Sequence, residues 1–416
     1  MPDSSALPSA DGIAAGRPAP PAPGPVVVYS LSHQVAVSML GAAFPVLLPA
    51  LAGDGQLTGE SAGLYSMVFY AGAVVATTLC QAGFGYVGIA RGSLLCVLLA
   101  AASILALVPG TLPFVLLTAL GIGLGYGPTT PASSLMLLPY IGGKRVNFLF
   151  SLRQTGAPLG VLLAGVIIPP LVLTVGWQPT LPILAGLVLV VALLGWRFSG
   201  RLDATLEQPA RRLPQVLNML AIGLRQRRLR RLIAISFLFS ALLATVNAYV
   251  PFVASQLAGA SLEQAGWAAA IAQLGAVGGR LAWGDLADRL GSYEKVLALI
   301  GLSMSAAICL FAAMQPDWPF VALAATSLVL GATAAGWGGL TIAAMARGLP
   351  KNEVGAGTST VMIFNYLGVF AGPPVVAAGL YATGSLRIAL LCLLAVSLAA
   401  TLLAGLGILQ SRQPPE

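Results

Sequence analysis

The apolar residues of the chain form long uncharged runs that short polar segments separate. Residues 92–143 carry no charge, and Pro109 and Pro113 break this stretch into two runs. Residues 154–196 break similarly near Trp177. A helix that crosses a bilayer needs about 20 apolar residues. The pattern therefore predicts twelve spans, near residues 26–52, 61–83, 93–109, 112–139, 146–171, 181–196, 232–256, 264–284, 296–314, 318–346, 354–381 and 387–409.

The predicted spans divide into two sets of six, which indicates an all-α membrane protein built from two six-helix bundles. Residues 26–196 form the first bundle and residues 232–409 the second. Residues 197–231 are a basic cytoplasmic linker between them, either solvated or partly folded as a basic amphipathic helix on the membrane surface. Residues 1–25 are rich in Pro and Ala and are predicted to be a disordered cytoplasmic tail. Residues 410–416 form a second cytoplasmic tail.

Composition supports the membrane assignment. Hydrophobic residues make up 57% of the chain and charged residues 8%, whereas soluble domains carry about 25% charged residues. The cysteines lie inside predicted spans and have no disulfide or metal spacing, so we expect packing roles. They are Cys80, Cys96, Cys309 and Cys392.

The net charge of +8 is best explained by topology. Most of the 21 lysines and arginines lie in segments on one side of the predicted spans, as the positive-inside rule describes for cytoplasmic loops. With an even number of spans, both termini are expected in the cytoplasm. We therefore expect a multi-pass protein of the bacterial inner membrane, with the lipid bilayer and not nucleic acid as the partner of its basic residues.

Two arginines break this pattern, because Arg153 and Arg280 lie inside apolar runs that contain no Asp or Glu. A charge in the hydrocarbon core costs about 2.5–3.5 kcal/mol on the most lenient insertion scale, so such a residue marks a functional site by default. Without an acidic residue in the spans, the partner of these arginines is expected to be an anionic substrate.

The two halves repeat each other. The fifth span contains an Arg-Gln-Thr-Gly-Ala-Pro-Leu-Gly run over residues 153–160, and the eleventh contains a Gly-x-x-x-Gly-Pro-Pro run over residues 368–374. Small residues at this spacing let membrane helices pack closely. Paired halves with a site near the midplane between them are typical of secondary transporters.

The segment between spans eight and nine carries the sharpest local motif, with Gly284, Asp285, Asp288, Arg289 and Gly291. It resembles the cytoplasmic-loop signature of the major facilitator superfamily, and the resemblance covers about residues 26–409. It implies two bundles that alternate access to a midplane site, with this loop latching the halves on the inner side.

The first half departs from that signature. The equivalent segment, residues 85–92, contains no acidic residue, so the inner latch is expected to be lopsided. The fourth span also lacks the arginine that many drug–proton antiporters of the superfamily carry there, which argues against multidrug export.

The position of Arg280 is similar to that of the anion-binding arginine of monocarboxylate and nitrate carriers. Gln273 lies seven residues earlier on the same helix face and can add a hydrogen bond to a carboxylate. Alternatively, Arg280 snorkels to the inner surface or pairs with Asp285. In the superfamily, spans five and eight face each other, which places Arg153 opposite Arg280 at similar depth. The alternative for Arg153 is a structural anchor bonded to backbone carbonyls of a neighbouring span.

Polar stripes lie on the helices that line the cavity in the superfamily, although such stripes can also bond helices together. His33 in span one is a candidate proton acceptor, or else a hydrogen-bonded packing residue. The candidate lining residues are Ser30, Gln34 and Ser38 in span one; Tyr126, Thr130 and Ser133 in span four; Ser236, Ser240 and Asn247 in span seven; and Trp337 and Thr341 in span ten.

These features predict a monomeric secondary transporter without a cofactor. The sequence contains no phosphate-binding glycine–lysine motif and no nucleophile–histidine constellation, so neither ATP hydrolysis nor enzymatic activity is expected. The leading hypothesis is proton-coupled uptake of a small organic anion, a carboxylate. The alternatives are an exporter of neutral or amphipathic compounds with structural arginines, and a membrane sensor that transports nothing.

Overall fold

The computed structural model describes residues 18–51, 59–206, 224 and 227–410, and this part of the chain is almost entirely α-helical. The helices of the first half are α1 Pro23–Leu51, α2 Gly59–Val87, α3 Ile89–Ile104, α4 Leu112–Tyr126, α5 Thr129–Met136, α6 Val146–Gln154, α7 Gly156–Val175 and α8 Trp177–Thr205. Those of the second half are α9 Arg227–Leu257, α10 Leu262–Leu290, α11 Tyr293–Ala312, α12 Phe320–Gly336, α13 Gly338–Arg347, α14 Val354–Thr383 and α15 Leu386–Gln410.

The predicted fold class is confirmed. Within the described residues, 11 helical segments are long and apolar enough to cross a membrane. The one predicted span that is not among these 11 is the eighth, residues 264–284, which corresponds to α10; this helix has 29 residues but contains the polar residues Gln273 and Arg280. An all-helical path satisfies every backbone group internally, which is the requirement that a bilayer imposes.

Three of the predicted spans are each built from two helices. The fourth breaks between α4 and α5, the fifth between α6 and α7, and the tenth between α12 and α13. Pro131 and Pro158 lie near the first two breaks, and each lacks the N–H that would bond the carbonyl four residues earlier, at Gly127 and Gln154. The third break falls at Trp337, between glycines. The lost backbone bonds explain why the fourth and fifth spans, although continuous apolar runs, each contain two helices.

Several helices also extend beyond the predicted bounds. Helix α1 begins at Pro23, inside the predicted tail, and α8 continues to Thr205, inside the predicted linker. Residues 284–290 lie in α10 and not in a loop, because the helix ends only where Gly291 adopts a φ of 62°. Residues 207–223 and 225–226 of the predicted linker, and residues 1–17 and 411–416 of the predicted tails, lie outside the described residues.

The two halves pack by the same scheme. In the first half α1 packs on α7, α2 on α4 and α3 on α8; in the second α9 packs on α14, α10 on α12 and α11 on α15. The repeated glycines make equivalent contacts. A Cβ at Gly160 would lie 2.5 Å from the carbonyl oxygen of Val35, and one at Gly368 would lie 2.3 Å from that of Phe237. Both positions therefore require glycine for close helix approach.

The halves meet mainly through α6 against α10 and α13, and through α2 and α5 against α14. We call the side of the bundle that holds Arg145, Arg289 and Arg347 the basic side. The contact near it is tight, because a Cβ at Gly284 or Gly339 would lie within 2.6 Å of Ser151. The bundle is therefore closed on the basic side.

Candidate functional site

A cavity of about 400 Å³ lies between the two halves. Its walls come from α1, α2, α4 and α7 in the first half and from α9, α10 and α12 in the second. Pro45, Ser66 and Asn247 are exposed at its rim, toward the helix ends away from the basic side. The cavity is therefore reached from the side opposite the closed contact.

A smaller cavity of about 120 Å³ continues from the larger one. The two share six lining residues and differ in that the smaller one reaches the helix breaks of the fifth and tenth spans. The shared residues are Tyr70, Tyr126, Ala157, Leu243, Arg280 and Ala335.

Arg280 lines both cavities and is 7% exposed. Its one hydrogen bond runs from Nη1 to the carbonyl of Ala276, at 3.4 Å on its own helix, and its Nε has no partner. The carboxylate of Asp285 pairs instead with Arg145 and Arg289, and no ion pair with Arg280 is found in the described part of the chain. The guanidinium is thus a buried cation with unused donors.

Arg153 occupies a different environment. It is 1% exposed and lines neither cavity. Its Nη2 donates to Gln34 Oε1 at 2.9 Å, and its Nη1 donates to Thr130 Oγ1 at 3.0 Å and to Gln154 Oε1. The two arginines therefore do not share a cavity wall. Arg153 is held behind the wall, and side-chain oxygens rather than backbone carbonyls hold it.

Most of the predicted lining residues reach the cavities. Gln273 and Asn247 line the larger one and are joined by a 3.1 Å hydrogen bond from Nε2 to Oδ1. The further predicted residues at one or both cavities are Gln34, Ser38, Tyr126, Thr130, Ser240 and Trp337.

Other predicted residues lie elsewhere. Ser30 lines neither cavity, and its hydroxyl donates to the carbonyl of Val27 one turn earlier. His33 is fully buried between α1 and α3, with Nδ1 2.9 Å from the hydroxyl of Ser93 and its ring 4.2 Å from that of Tyr29. Because His33 faces the interior of the first bundle, the structure does not bring it to the cavities.

The pattern of stripes missed four residues of the smaller cavity whose side chains can form hydrogen bonds. Tyr70 and Tyr366 come from opposite halves, with ring centroids 5.8 Å apart, and both line the smaller cavity. Gln154 and Asn365 line it as well. Gln154 belongs to the repeated run of span five and Asn365 immediately precedes Tyr366, so the repeat was the available signal. Nothing in the sequence distinguishes Tyr70 from a lipid-facing aromatic residue.

The motif on the basic side joins the halves through Asp288. Its carboxylate accepts from the backbone N of Asn147 at 3.1 Å, from Asn147 Nδ2 at 2.7 Å and from the backbone N of Phe148 at 2.8 Å. These groups stand at the start of α6, where a helix leaves donors free and favours negative charge. Arg347 also donates to Asn147 Oδ1 at 2.7 Å.

The contact between α2 and α14 is the counterpart of the contact between α10 and α6, but different side chains form it. A Cβ at Gly355 would meet the amide of Gln81, and Cys80 Sγ lies 4.0 Å from the hydroxyl of Ser359. Neutral side chains thus form the contact between α2 and α14, whereas the carboxylate of Asp288 forms the one between α10 and α6. This difference agrees with the lopsided latch expected from the sequence.

The comparisons with known proteins agree on one architecture. The sequence matches the Major Facilitator Superfamily over residues 30–373 and again over 255–416. The E. coli fucose:proton symporter superposes with a TM-score of 0.73 at 17% identity, covering 93% of this chain and 99% of that one. The human organic anion transporter MFSD10 gives 0.71 at 18% identity, covering 92% and 100%. The proton:xylose symporter XylE gives 0.63 at 17% identity, covering 91% and 94%. No curated protein matches the sequence.

Proposed function

Because the chain belongs to the Major Facilitator Superfamily and is a transporter with that fold, we propose that it takes up a small organic anion, a carboxylate, by alternating access. Such a cycle has two states, each open to one side of the membrane. The observed arrangement corresponds to one of them, because the bundle is closed on the basic side and the cavity is reached from the opposite side.

The observation that carries this proposal is the environment of Arg280. It is the one charged residue among the described residues that line the two cavities. A buried guanidinium without an acidic partner is costly, and a carboxylate can accept two parallel hydrogen bonds from it. An anionic substrate therefore neutralises the charge and uses the free donors.

Symport with protons is the second part of the proposal. The fucose and xylose transporters of similar fold are proton symporters. The described lining residues include neither a carboxylate nor a histidine. We therefore assign the coupled proton to no side chain of the cavity and expect it to accompany the acid.

The charge pattern supports an orientation with the basic side in the cytoplasm, and we propose that the protein acts as a monomer in the bacterial inner membrane. In that orientation the cavity faces the outside, which suits uptake.

Transport by proteoliposomes tests the proposal. Purified protein is reconstituted, and uptake of a panel of labelled carboxylates is measured with and without an inward proton gradient. Arg280→Gln is compared with Arg387→Gln, because Arg387 lies at the start of α15, where it donates to the carbonyl of Met314 outside the cavities.

We expect saturable uptake of at least one acid, stimulated by the gradient, lost in Arg280→Gln and kept in Arg387→Gln. Equal uptake by the two variants would contradict the anion site. Uptake without stimulation by the gradient would contradict proton symport alone.

A further inference from the structure

Side-chain amides surround Arg280 in the two cavities. Gln34 and Gln154 come from the first half, and Asn247, Gln273 and Asn365 from the second. An amide offers both donors and an acceptor and carries no charge. A site for a simple alkyl carboxylate has no use for these groups away from the carboxylate, because apolar atoms form no hydrogen bonds with them.

Arg153 sets the orientation of two of these amides. An arginine only donates, so the atoms that Gln34 and Gln154 present to it are their oxygens. The nitrogen of each amide is then directed elsewhere. Nε2 of Gln34 donates to the hydroxyl of Ser38 at 3.0 Å. Nε2 of Gln154 lies near Gly338, at 3.4 Å from the position of a Cβ there, on the wall of the smaller cavity. Arg153 thus makes Gln154 a donor toward that cavity.

Asn365 supplies an acceptor without a partner. It is 7% exposed, its Nδ2 contacts only the sulfur of Met362 at 3.8 Å, and its Oδ1 has no hydrogen bond. A buried polar group left unpaired is costly, so an unpaired one on a cavity wall indicates a ligand that carries a donor. A carboxylate bears no donor, but a hydroxyl does.

The size and the aromatic walls agree with a longer polar ligand. The larger cavity, about 400 Å³, falls in the range of about 300–1,000 Å³ that holds drug-sized ligands. Tyr70, Tyr126 and Tyr366 form a cluster with centroid distances of 5.8 and 6.1 Å. Their ring faces offer apolar surface to C–H groups, and their hydroxyls offer further hydrogen bonds.

We propose that the transported anion is a polyhydroxylated carboxylic acid, a sugar acid or a compound like one. Its carboxylate binds Arg280, and its hydroxyls bind the amides of Gln154 and Asn365. Arg153 is a positioning residue that holds Gln154 in the donating orientation. This inference rests on the proposed function and narrows the class of its substrate.

Three probes of equal carbon number test the carboxylate site and the hydroxyl-binding amides separately. D-Gluconate has a carboxylate and hydroxyls, hexanoate has the carboxylate alone, and sorbitol has hydroxyls alone. Binding of each to the purified full-length protein is measured by isothermal titration calorimetry. We expect gluconate to bind at least about tenfold more tightly than hexanoate, as one additional good hydrogen bond allows, and sorbitol to bind more weakly still.

Variants then test the assigned residues. Gln154→Leu and Asn365→Leu are each expected to weaken gluconate about tenfold and to leave hexanoate unchanged. Gln178→Leu is the matched control, because Gln178 is exposed at the start of α8 and donates to the carbonyl of Val108. Arg153→Lys is expected to weaken gluconate and to spare hexanoate, which a purely structural role would not do.

The outcomes are distinguishable. Hexanoate binding as tightly as gluconate, or losing as much in the amide variants, would overturn the inference and leave the anion site standing. Sorbitol binding as tightly as gluconate would overturn the proposed function itself. Binding of none of the three probes would also overturn the inference.

Discussion

Removing the carboxylate of Asp288 should open the basic side. In Asp288→Ala the first turn of α6 loses its three hydrogen bonds to the other half. Loss of a helix N-cap costs about 1 kcal/mol, and loss of a negative charge at a helix N-terminus costs up to about 1 kcal/mol more. These bonds join the two halves, so separation of the halves on the basic side breaks them. We therefore expect about 2 kcal/mol less preference for it, which is roughly a 30-fold shift in the equilibrium.

A native cysteine can report this opening. Cys80 is 8% exposed, near the basic end of α2 and against Ser359 of α14, so separation of the halves uncovers it. The rate at which a charged, water-soluble thiosulfonate modifies Cys80 in detergent-solubilised protein follows the open fraction when opening and closing are fast. We expect modification about 30-fold faster in Asp288→Ala. The experiment uses a background in which the other three cysteines are replaced by alanine, so that Cys80 is the only thiol that can react. These cysteines are Cys96, Cys309 and Cys392.

Asp285→Ala is the matched control. Its carboxylate pairs with Arg145 and Arg289, whose side chains are 65% and 76% exposed. Exposed ion pairs contribute about 0–1 kcal/mol, so modification should accelerate by no more than about fivefold. If Asp288→Ala were modified no faster than Asp285→Ala, the capping contact would not be what holds the basic side closed.

Three further predictions concern buried positions. Arg153→Lys keeps the charge but loses the fork that bridges side-chain oxygens, so it should cost about 2 kcal/mol and lower the melting temperature by about 4 °C; an unchanged melting curve in detergent would refute the role of the network. Gly339→Ala places a Cβ 2.4 Å from Ser151 Cα, so overpacking of about 1–3 kcal/mol should favour the open basic side and speed cysteine modification about tenfold; slower modification would be inconsistent with this. His33→Asn should leave the pH dependence of uptake unchanged, because the ring contacts Ser93 and not the cavity; a displaced pH profile would identify His33 as the proton carrier.

The fold follows from the sequence because a bilayer permits few solutions. Long apolar runs must be helical, and the repeated glycines near residues 160 and 368 identify the same helix contact in both halves. The helix breaks near Pro131 and Pro158 can also be predicted from the sequence, since each proline removes one specific backbone bond. The break at Trp337 has no such marker, and the packing of Gly338 and Gly339 against Gln154 and Ser151 of the first half is visible only in three dimensions.

The site is predictable only in part. Charge alone identified Arg280, because an arginine in an acid-free span needs a partner. Charge could not separate it from Arg153, whose partners Gln34 and Thr130 come from helices that meet only in the fold. The burial of His33 away from the cavity has the same origin, since it depends on which face of α1 meets α3.

The most direct test of the account is the affinity of the purified protein for an acid that it transports, measured with and without the guanidinium of Arg280. Charge-assisted hydrogen bonds contribute about 1.5–3 kcal/mol each, so loss of a two-pronged contact in Arg280→Gln should weaken binding at least about 100-fold. Arg387→Gln should bind as the unaltered protein does. Equal affinities in Arg280→Gln and Arg387→Gln would contradict the claim that Arg280 holds the substrate.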